Sequence, residues 1–124
     1  MSRFKVAGVQ MDIEFAEVKR NLQKMEMRLA ETVANGAALT VFPECTTTGY
    51  CFDSLDEARQ VGESLDGPSV ACVKDWCASK KTMVIFGFLE TENDCLYNSL
   101  ALIGPDGLIG SYRKMHLPFL GVDR

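Results

Sequence analysis

The sequence has few of the features that mark membrane, metal-binding or nucleotide-binding proteins. Its longest apolar runs are a few residues, far short of the ~20 needed to span a bilayer. It has one histidine, and none of its five cysteines forms a Cys-x-x-Cys pair, which argues against a structural zinc site. Neither glycine-rich phosphate-binding motif is present, nor is the Gly-x-Ser-x-Gly nucleophile motif. We therefore expect no metal site and no phosphate-cradling loop.

Basic residues are also sparse and scattered. The chain carries 13 Lys and Arg against 17 Asp and Glu, a net charge of −4, without a basic cluster. Nucleic acid and anionic membrane surfaces are therefore not expected partners. Its 124 residues, 47% of them apolar, are ordinary for one globular domain. The odd cysteine count, together with an N-terminus without the apolar stretch of a signal peptide, predicts reduced thiols and a cytoplasmic protein.

Apolar patterning predicts a β-α-β-α-α-β-β-β order of elements. The first strands are apolar throughout, as expected for a sheet covered by helices, and later strands connect through tight turns. The long helix has one apolar stripe, formed by Val18, Leu22, Met25, Leu29 and Val33. The predicted elements are a buried strand Phe4–Met11, helix Phe15–Ala34, strand Ala38–Phe42, helix Ser54–Glu63, a helix starting at Pro68, and strands Thr82–Phe88, Cys95–Ile103 and Leu108–Arg113. The fold class is α/β, with a mixed sheet.

Glu44 is the first candidate for chemistry. It directly follows an apolar strand, in Phe42-Pro43-Glu44, and ligands of open α/β sheets bind beyond the carboxyl ends of strands. A carboxylate at that position can act as a general base. The alternative is a loop glutamate that caps a turn or faces water.

Lys114 is the second candidate, because it also follows a strand. Its ammonium can stabilise an oxyanion or form an ion pair with Glu44. The alternative is a solvated lysine at a strand end. His116, the single histidine, is interpreted either as a proton shuttle or as a hydrogen-bonded structural residue.

The thiols are weaker candidates. Cys45 adjoins Glu44, but no positive neighbour or helix N-terminus that would favour a thiolate is evident near it. Consecutive side chains of an extended segment also point apart. We interpret Cys72, Cys77 and Cys95 as small buried apolar residues.

Several segments occur in the order, and at about the spacing, found in one enzyme family. They are Val6–Met11, the helix after it, Val41–Glu44, Thr48–Tyr50, Tyr97–Ser99, the Gly104–Gly107 hairpin and Tyr112–Pro118. The whole chain thereby resembles the N-terminal portion of the nitrilase superfamily, the carbon-nitrogen hydrolases. The resemblance implies a partial αββα sandwich of the nitrilase type, with a mixed β-sheet and helices packed on it.

The resemblance also implies a Glu–Lys–Cys triad. In it Glu44 is the general base, and Lys114 stabilises the tetrahedral intermediate and assists proton transfer. A cysteine attacks an amide or nitrile carbon and leaves an acyl-enzyme for water. The implied partner is a small-molecule amide or nitrile, no metal or organic cofactor is required, and the intact parent is expected to be a homo-oligomer.

The nucleophile of that triad is not found. In the family it lies a few dozen residues after the lysine, whereas all five cysteines precede Lys114. Asp123 is the only acidic residue after Lys114, and the sequence does not assign it a role. We therefore expect residues 1–124 to be the N-terminal part of a single carbon-nitrogen hydrolase domain, inactive alone, from an amidase of small linear amides. The alternatives are hydrolysis of a nitrile, carbamoyl amide or glutamine amide, or a non-catalytic half-sandwich that binds another protein.

Overall fold

The computed structural model describes residues 3–123, and its elements follow the predicted order. They are β1 Val6–Gly8, α1 Val18–Ala34, β2 Leu39–Val41, α2 Leu55–Arg59, α3 Pro68–Lys80, β3 Met83–Glu92, β4 Cys95–Gly104 and β5 Gly107–Arg113. The α/β class is confirmed. None of the helices in the described residues combines the length and apolar character of a transmembrane span.

The five strands form one mixed sheet in the order β1-β2-β3-β4-β5. The pairs β1–β2 and β2–β3 are parallel, whereas β3–β4 and β4–β5 are antiparallel. The helices supply the crossovers that parallel neighbours need, and short turns join the antiparallel strands. Strand β2 pairs with the first three residues of β3, Met83–Ile85, so the chain after β2 continues along the remainder of β3.

Helices α1 and α3 pack together over one face of this sheet. Met25 and Leu29 of α1 and Val73 of α3 are fully buried against Val84 and Phe86 of β3. These positions confirm the predicted stripe of α1. The opposite face carries a second, smaller core, in which Ala58 of α2 packs with Leu89 of β3, Cys45 and Phe52.

Local signals mark three helix ends correctly, whereas α1 begins at Val18 rather than Phe15 and α2 ends at Arg59 rather than Glu63. Helix α1 ends before Gly36, whose φ is +82°, a conformation that glycine adopts readily. Ser54 caps α2, because its Oγ accepts a 3.1 Å hydrogen bond from the Glu57 N–H. Pro68 occupies the first turn of α3, as predicted.

The prediction of a buried first strand is wrong. Only Val6–Gly8 is regular, and the side chains of Phe4 and Val6 are more than half exposed. The reason is that β1 lies at the sheet edge, so its residues have fewer neighbours than those of β2 and β3. Strand β3 is longer than predicted, because Asn93 and Asp94 both adopt positive φ and close a two-residue hairpin.

Candidate functional site

A tight loop after β2 carries Glu44. The backbone of this loop lies directly on Gly87 of β3: the Gly87 N–H donates to the Pro43 carbonyl (3.1 Å), and the Thr46 N–H donates to the Gly87 carbonyl (2.9 Å). A Cβ at Gly87 would lie 2.6 Å from the Cys45 nitrogen and 2.7 Å from the Glu44 Cα. Glycine is therefore required for this close approach, which brings Glu44 to the middle of the sheet.

The back of the loop is tied to α1 by Asn21. This fully buried side chain donates to the carbonyls of Glu14 (2.7 Å) and Thr47 (3.0 Å) and accepts from the Glu14 N–H (2.8 Å). The Ala16 N–H adds a 2.8 Å bond to the Thr48 carbonyl. The loop that carries Glu44 is thus hydrogen-bonded to β3 on one side and to α1 and the residues before it on the other.

Lys114 reaches Glu44 from the end of β5. Its Nζ lies 3.0 Å from Glu44 Oε1, although the two residues are 70 positions apart in sequence. It also lies 2.5 Å from Asp123 Oδ2. These bonds, that to Asp123 first and that to Glu44 second, raise the pKa of Lys114 above its ordinary value. Lys114 is therefore a fixed ammonium at physiological pH and cannot accept a proton.

Asp123 is a third member of this cluster that sequence reasoning missed. It is 1% exposed and accepts hydrogen bonds from Lys114, from Asn98 Nδ2 (3.0 Å) and from the Tyr50 hydroxyl (2.9 Å). Burial acts to raise its pKa, but the three donors outweigh burial and hold the pKa below its ordinary value. Asp123 is therefore ionised. The feature of the sequence that could have indicated Asp123 is that it is the only acidic residue after Lys114.

A sharp turn at Gly121 brings Asp123 back to the site. Its φ is +57°, and a Cβ there would lie 2.6 Å from the carbonyl oxygen of Tyr50. The following Val122 N–H donates to the same carbonyl at 3.2 Å. The segment after Lys114 thus packs against the loop that follows Glu44.

Asn98 lies between the two carboxylates. Its Nδ2 donates to Glu44 Oε1 at 2.7 Å and to Asp123 Oδ1 at 3.0 Å, while its Oδ1 accepts from the Cys45 thiol at 3.7 Å. Its backbone carbonyl accepts from the Lys114 N–H at 2.8 Å. In the sequence, Asn98 was only part of the Tyr-Asn-Ser motif.

All five cysteines are unpaired thiols, whether or not they lie near this cluster. Cys45 is fully buried, and burial first, then the negative charges of Glu44 and Asp123, raise its pKa to about 12. It therefore stays protonated and is a poor nucleophile. Cys77 is buried as predicted, whereas the prediction of burial is wrong for Cys95, which is exposed because it begins β4 at the hairpin.

His116 lies outside the cluster. Its side chain is exposed and makes no hydrogen bond to any of the residues 3–123. The interpretation as a hydrogen-bonded structural residue is therefore wrong. It follows Lys114 on a segment whose neighbouring side chains, Met115 and Leu117, are also exposed.

A cavity of about 250 Å³ opens beside the Glu44–Lys114 pair, on the sheet face opposite α1 and α3. Its lining combines the polar cluster with an apolar floor. The lining residues are Val41, Phe42, Pro43, Glu44, Ile85, Gly87, Asn98, Ser99, Leu100, Tyr112 and Lys114. Within the described part of the chain, no group of three or more His, Cys, Asp or Glu side chains is arranged to hold a metal ion. The site therefore offers a carboxylate base and a fixed cation beside an apolar wall.

Comparisons with known proteins match nearly the whole chain. The carbon-nitrogen hydrolase family matches residues 5–123. A nitrilase of Pyrococcus abyssi (strain GE5 / Orsay) is 36% identical over 114 residues, which cover 91% of this chain and 44% of that protein. An omega-amidase of Danio rerio is 28% identical over 119 residues, 94% of this chain and 42% of that protein.

The fold is shared with a solved structure. The crystal structure of an N-terminal amidase superposes with a TM-score of 0.82 at 24% identity, and the match covers 94% of this chain and 29% of that one. The expected nitrilase-type fold is thereby confirmed. The chain spans less than half the length of each of these relatives.

Proposed function

The chain belongs to the carbon-nitrogen hydrolase family, and on that premise we propose that Glu44 and Lys114 serve the hydrolysis of non-peptide carbon–nitrogen bonds. One observation carries the proposal: the Lys114 ammonium lies 3.0 Å from the Glu44 carboxylate beside an open cavity. A base and a fixed cation at one site can remove a proton from a nucleophile and stabilise the negative charge that its attack creates.

The attacking thiol is proposed to lie outside residues 1–124, in the remainder of a single domain whose N-terminal part is this chain. The short span of the chain on its relatives, 44% of the Pyrococcus nitrilase, supports this division. The burial and raised pKa of Cys45, the thiol bonded into the cluster, support it as well. The activity is then a property of the longer protein, and residues 1–124 alone are inactive.

In the proposed reaction, the Glu44 carboxylate takes the proton of that thiol as its sulfur bonds to the amide carbon. The Lys114 ammonium faces the oxyanion of the tetrahedral intermediate. Collapse of the intermediate breaks the carbon–nitrogen bond, and the proton on Glu44 passes to the departing ammonia or amine. Glu44 then takes a proton from water as the water oxygen attacks the thioester. The carbon–sulfur bond breaks, Glu44 returns the proton to the departing sulfur, and a carboxylic acid and the free thiol result.

Lys114 contributes charge rather than proton transfer. Its bonds to Asp123 and Glu44 hold it in the ammonium form. Asp123 in turn is nearly inaccessible, so its role is to anchor this ammonium rather than to contact substrate. The two carboxylates therefore have different roles. Glu44, whose side chain is 49% exposed, is the one that can reach substrate.

The substrate proposed is a small linear amide. A cavity of about 250 Å³ with polar groups at one end suits a short molecule whose carbon–nitrogen group lies at Glu44 and Lys114. A nitrile is the second candidate, because the Pyrococcus relative is named a nitrilase. The same base and cation would serve addition of a thiol to a nitrile carbon.

The first test is genetic and needs no activity. We expect the coding sequence beyond Arg124 to continue in frame to a cysteine a few dozen codons on. A reading frame without such a cysteine would contradict the proposed division of the domain. Hydrolysis of amides by purified residues 1–124, abolished by Cys45→Ser, would contradict it as well.

The second test measures ammonia release from short amides and nitriles by the full-length protein. Glu44→Gln and Lys114→Met are each expected to lower kcat/KM by about 10²- to 10⁴-fold. Lys24→Met is the matched control, because Lys24 is equally exposed (33%) and bridges Glu14 at 2.9 Å away from the site. Equal rates in all three variants would refute the catalytic assignment, and a stable homodimer without turnover would favour the binding module.

A further inference from the structure

We propose that Asn98 is a positioning residue that holds Glu44 and Asp123 on a single amide nitrogen, and that the buried Cys45 thiol fixes the orientation of this amide. The inference rests on the proposed function, which gives Glu44 and Lys114 their catalytic roles. It adds an element to which neither the triad nor the comparisons assign a part.

The hydrogen-bonding capacity of Asn98 nitrogen is fully used. The amide has two N–H donors, and one goes to Glu44 Oε1 (2.7 Å) and the other to Asp123 Oδ1 (3.0 Å). The two carboxylates carry like charges, and among residues 3–123 they share one cation, Lys114. Asn98 therefore supplies a neutral second link between them, and removal of its side chain leaves Lys114 as the link between the two carboxylates, while Tyr50 still donates to Asp123.

The orientation of the amide matters, because a flipped amide would direct its oxygen at both carboxylates. Two charge-assisted hydrogen bonds would then become repulsive contacts. On the other side of Asn98, the Cys45 thiol donates to Oδ1 at 3.7 Å. A protonated thiol is a donor that suits the amide oxygen.

Cys45 thus has a use that does not require a thiolate. Burial and the neighbouring carboxylates raise its pKa to about 12, so the proton stays on sulfur throughout the physiological range. The left-handed backbone of Cys45, with φ of +46°, turns its side chain into the protein while the adjacent Glu44 faces the cavity. The two consecutive residues then contact Asn98 through opposite ends of its amide.

The backbone of Asn98 makes its own contribution, which side-chain variants leave intact. Its carbonyl accepts from the Lys114 N–H (2.8 Å), and its position in β4 pairs with Leu89 of β3. Substitutions of the side chain therefore test the amide separately from strand pairing.

The experiment is an NMR titration of the Asp123 carboxyl carbon in the protein, with kcat/KM of the full-length enzyme as a second readout. Asn98→Ala is expected to raise the pKa of Asp123, because one donor is lost, and to lower kcat/KM by about 10²-fold through misplacement of Glu44. Cys45→Ala is expected to shift both readouts in the same direction, and Cys45→Ser, which keeps a donor, to restore them toward the original values.

Cys77 provides the matched control. It is equally buried, and its thiol donates to the Ile103 carbonyl, also at 3.7 Å. This bond lies in the helix-side core, the core between the sheet and helices α1 and α3. Cys77→Ala and Cys77→Ser are expected to leave the titration of Asp123 unchanged. If Asn98→Ala does not fold, the Cys45 pair carries the test.

Two results would overturn the inference: an unchanged Asp123 titration in folded Asn98→Ala, or a Cys45→Ala effect no larger than that of Cys77→Ala. The titration is independent of catalysis. A shifted titration combined with full activity of Glu44→Gln would therefore refute the proposed function and leave the positioning of Asp123 standing.

Discussion

Gly87→Ala should disturb the site, and the displacement it causes can be worked out from the distances between the added methyl and the neighbouring backbone. The added methyl would lie 2.6 Å from the Cys45 nitrogen, 2.7 Å from the Glu44 Cα and 2.8 Å from the Pro43 oxygen. All three atoms belong to backbone, so no side chain can rotate away. To reach an ordinary contact of 3.4 Å, the loop must move by about 0.8 Å or the strand must bend.

The movement should reduce both stability and activity. It would strain the Gly87–Pro43 and Thr46–Gly87 hydrogen bonds, and overpacking of this kind costs about 1–3 kcal/mol of unfolding free energy. It would also displace Glu44 from Lys114, and a displacement near 1 Å can lower kcat/KM by roughly 10²-fold. Urea denaturation of the protein measures the first effect, and amide hydrolysis by the full-length enzyme measures the second.

Gly110→Ala is the matched control for this prediction. Gly110 is also in a strand of the sheet, its φ is not positive, and nothing lies within 4 Å of the Cβ position. Its substitution should change the free energy of unfolding by no more than about 0.5–1 kcal/mol. If Gly87→Ala were as stable and as active as Gly110→Ala, the close approach of the loop would not be what places Glu44.

Three further predictions concern stability. Hydrogen bonds from Arg113 first, and from Ser99, lower the pKa of the buried Glu90. Its stabilising contribution should therefore be present above its ordinary pKa of 4.5 and disappear as pH falls through the lower pKa of the folded state. The melting temperature measured against pH should show this loss, and Glu90→Gln should flatten the dependence. Asn21→Ala should cost about 1–3 kcal/mol in urea denaturation, because it removes the side-chain partner of the Glu14 N–H and of the Thr47 carbonyl. A neutral result would contradict the role of Asn21 in holding the loop. Phe86→Ala should cost about 3–5 kcal/mol, because its ring is fully buried, and a cost below 1 kcal/mol would contradict the helix-side core.

Features encoded by neighbouring residues could be predicted from the sequence. The end of α1 at Gly36, the cap of α2 at Ser54 and the start of α3 at Pro68 follow from local backbone chemistry. The motifs that contain Glu44 and Lys114 are also local, and each lies at a strand end. Their approach to each other, which the resemblance implied, agrees with the 3.0 Å distance in the structure.

Features that depend on contacts between segments far apart in the sequence could not be predicted in the same way. The exposure of β1 depends on its place at the sheet edge, and the burial of Asp123 depends on a turn at Gly121 against Tyr50. Asn98 becomes the link between two carboxylates only when β4 lies between the loop after β2 and the end of β5. A sequence lists these groups one after another, whereas their hydrogen bonds depend on distances that only the folded sheet determines.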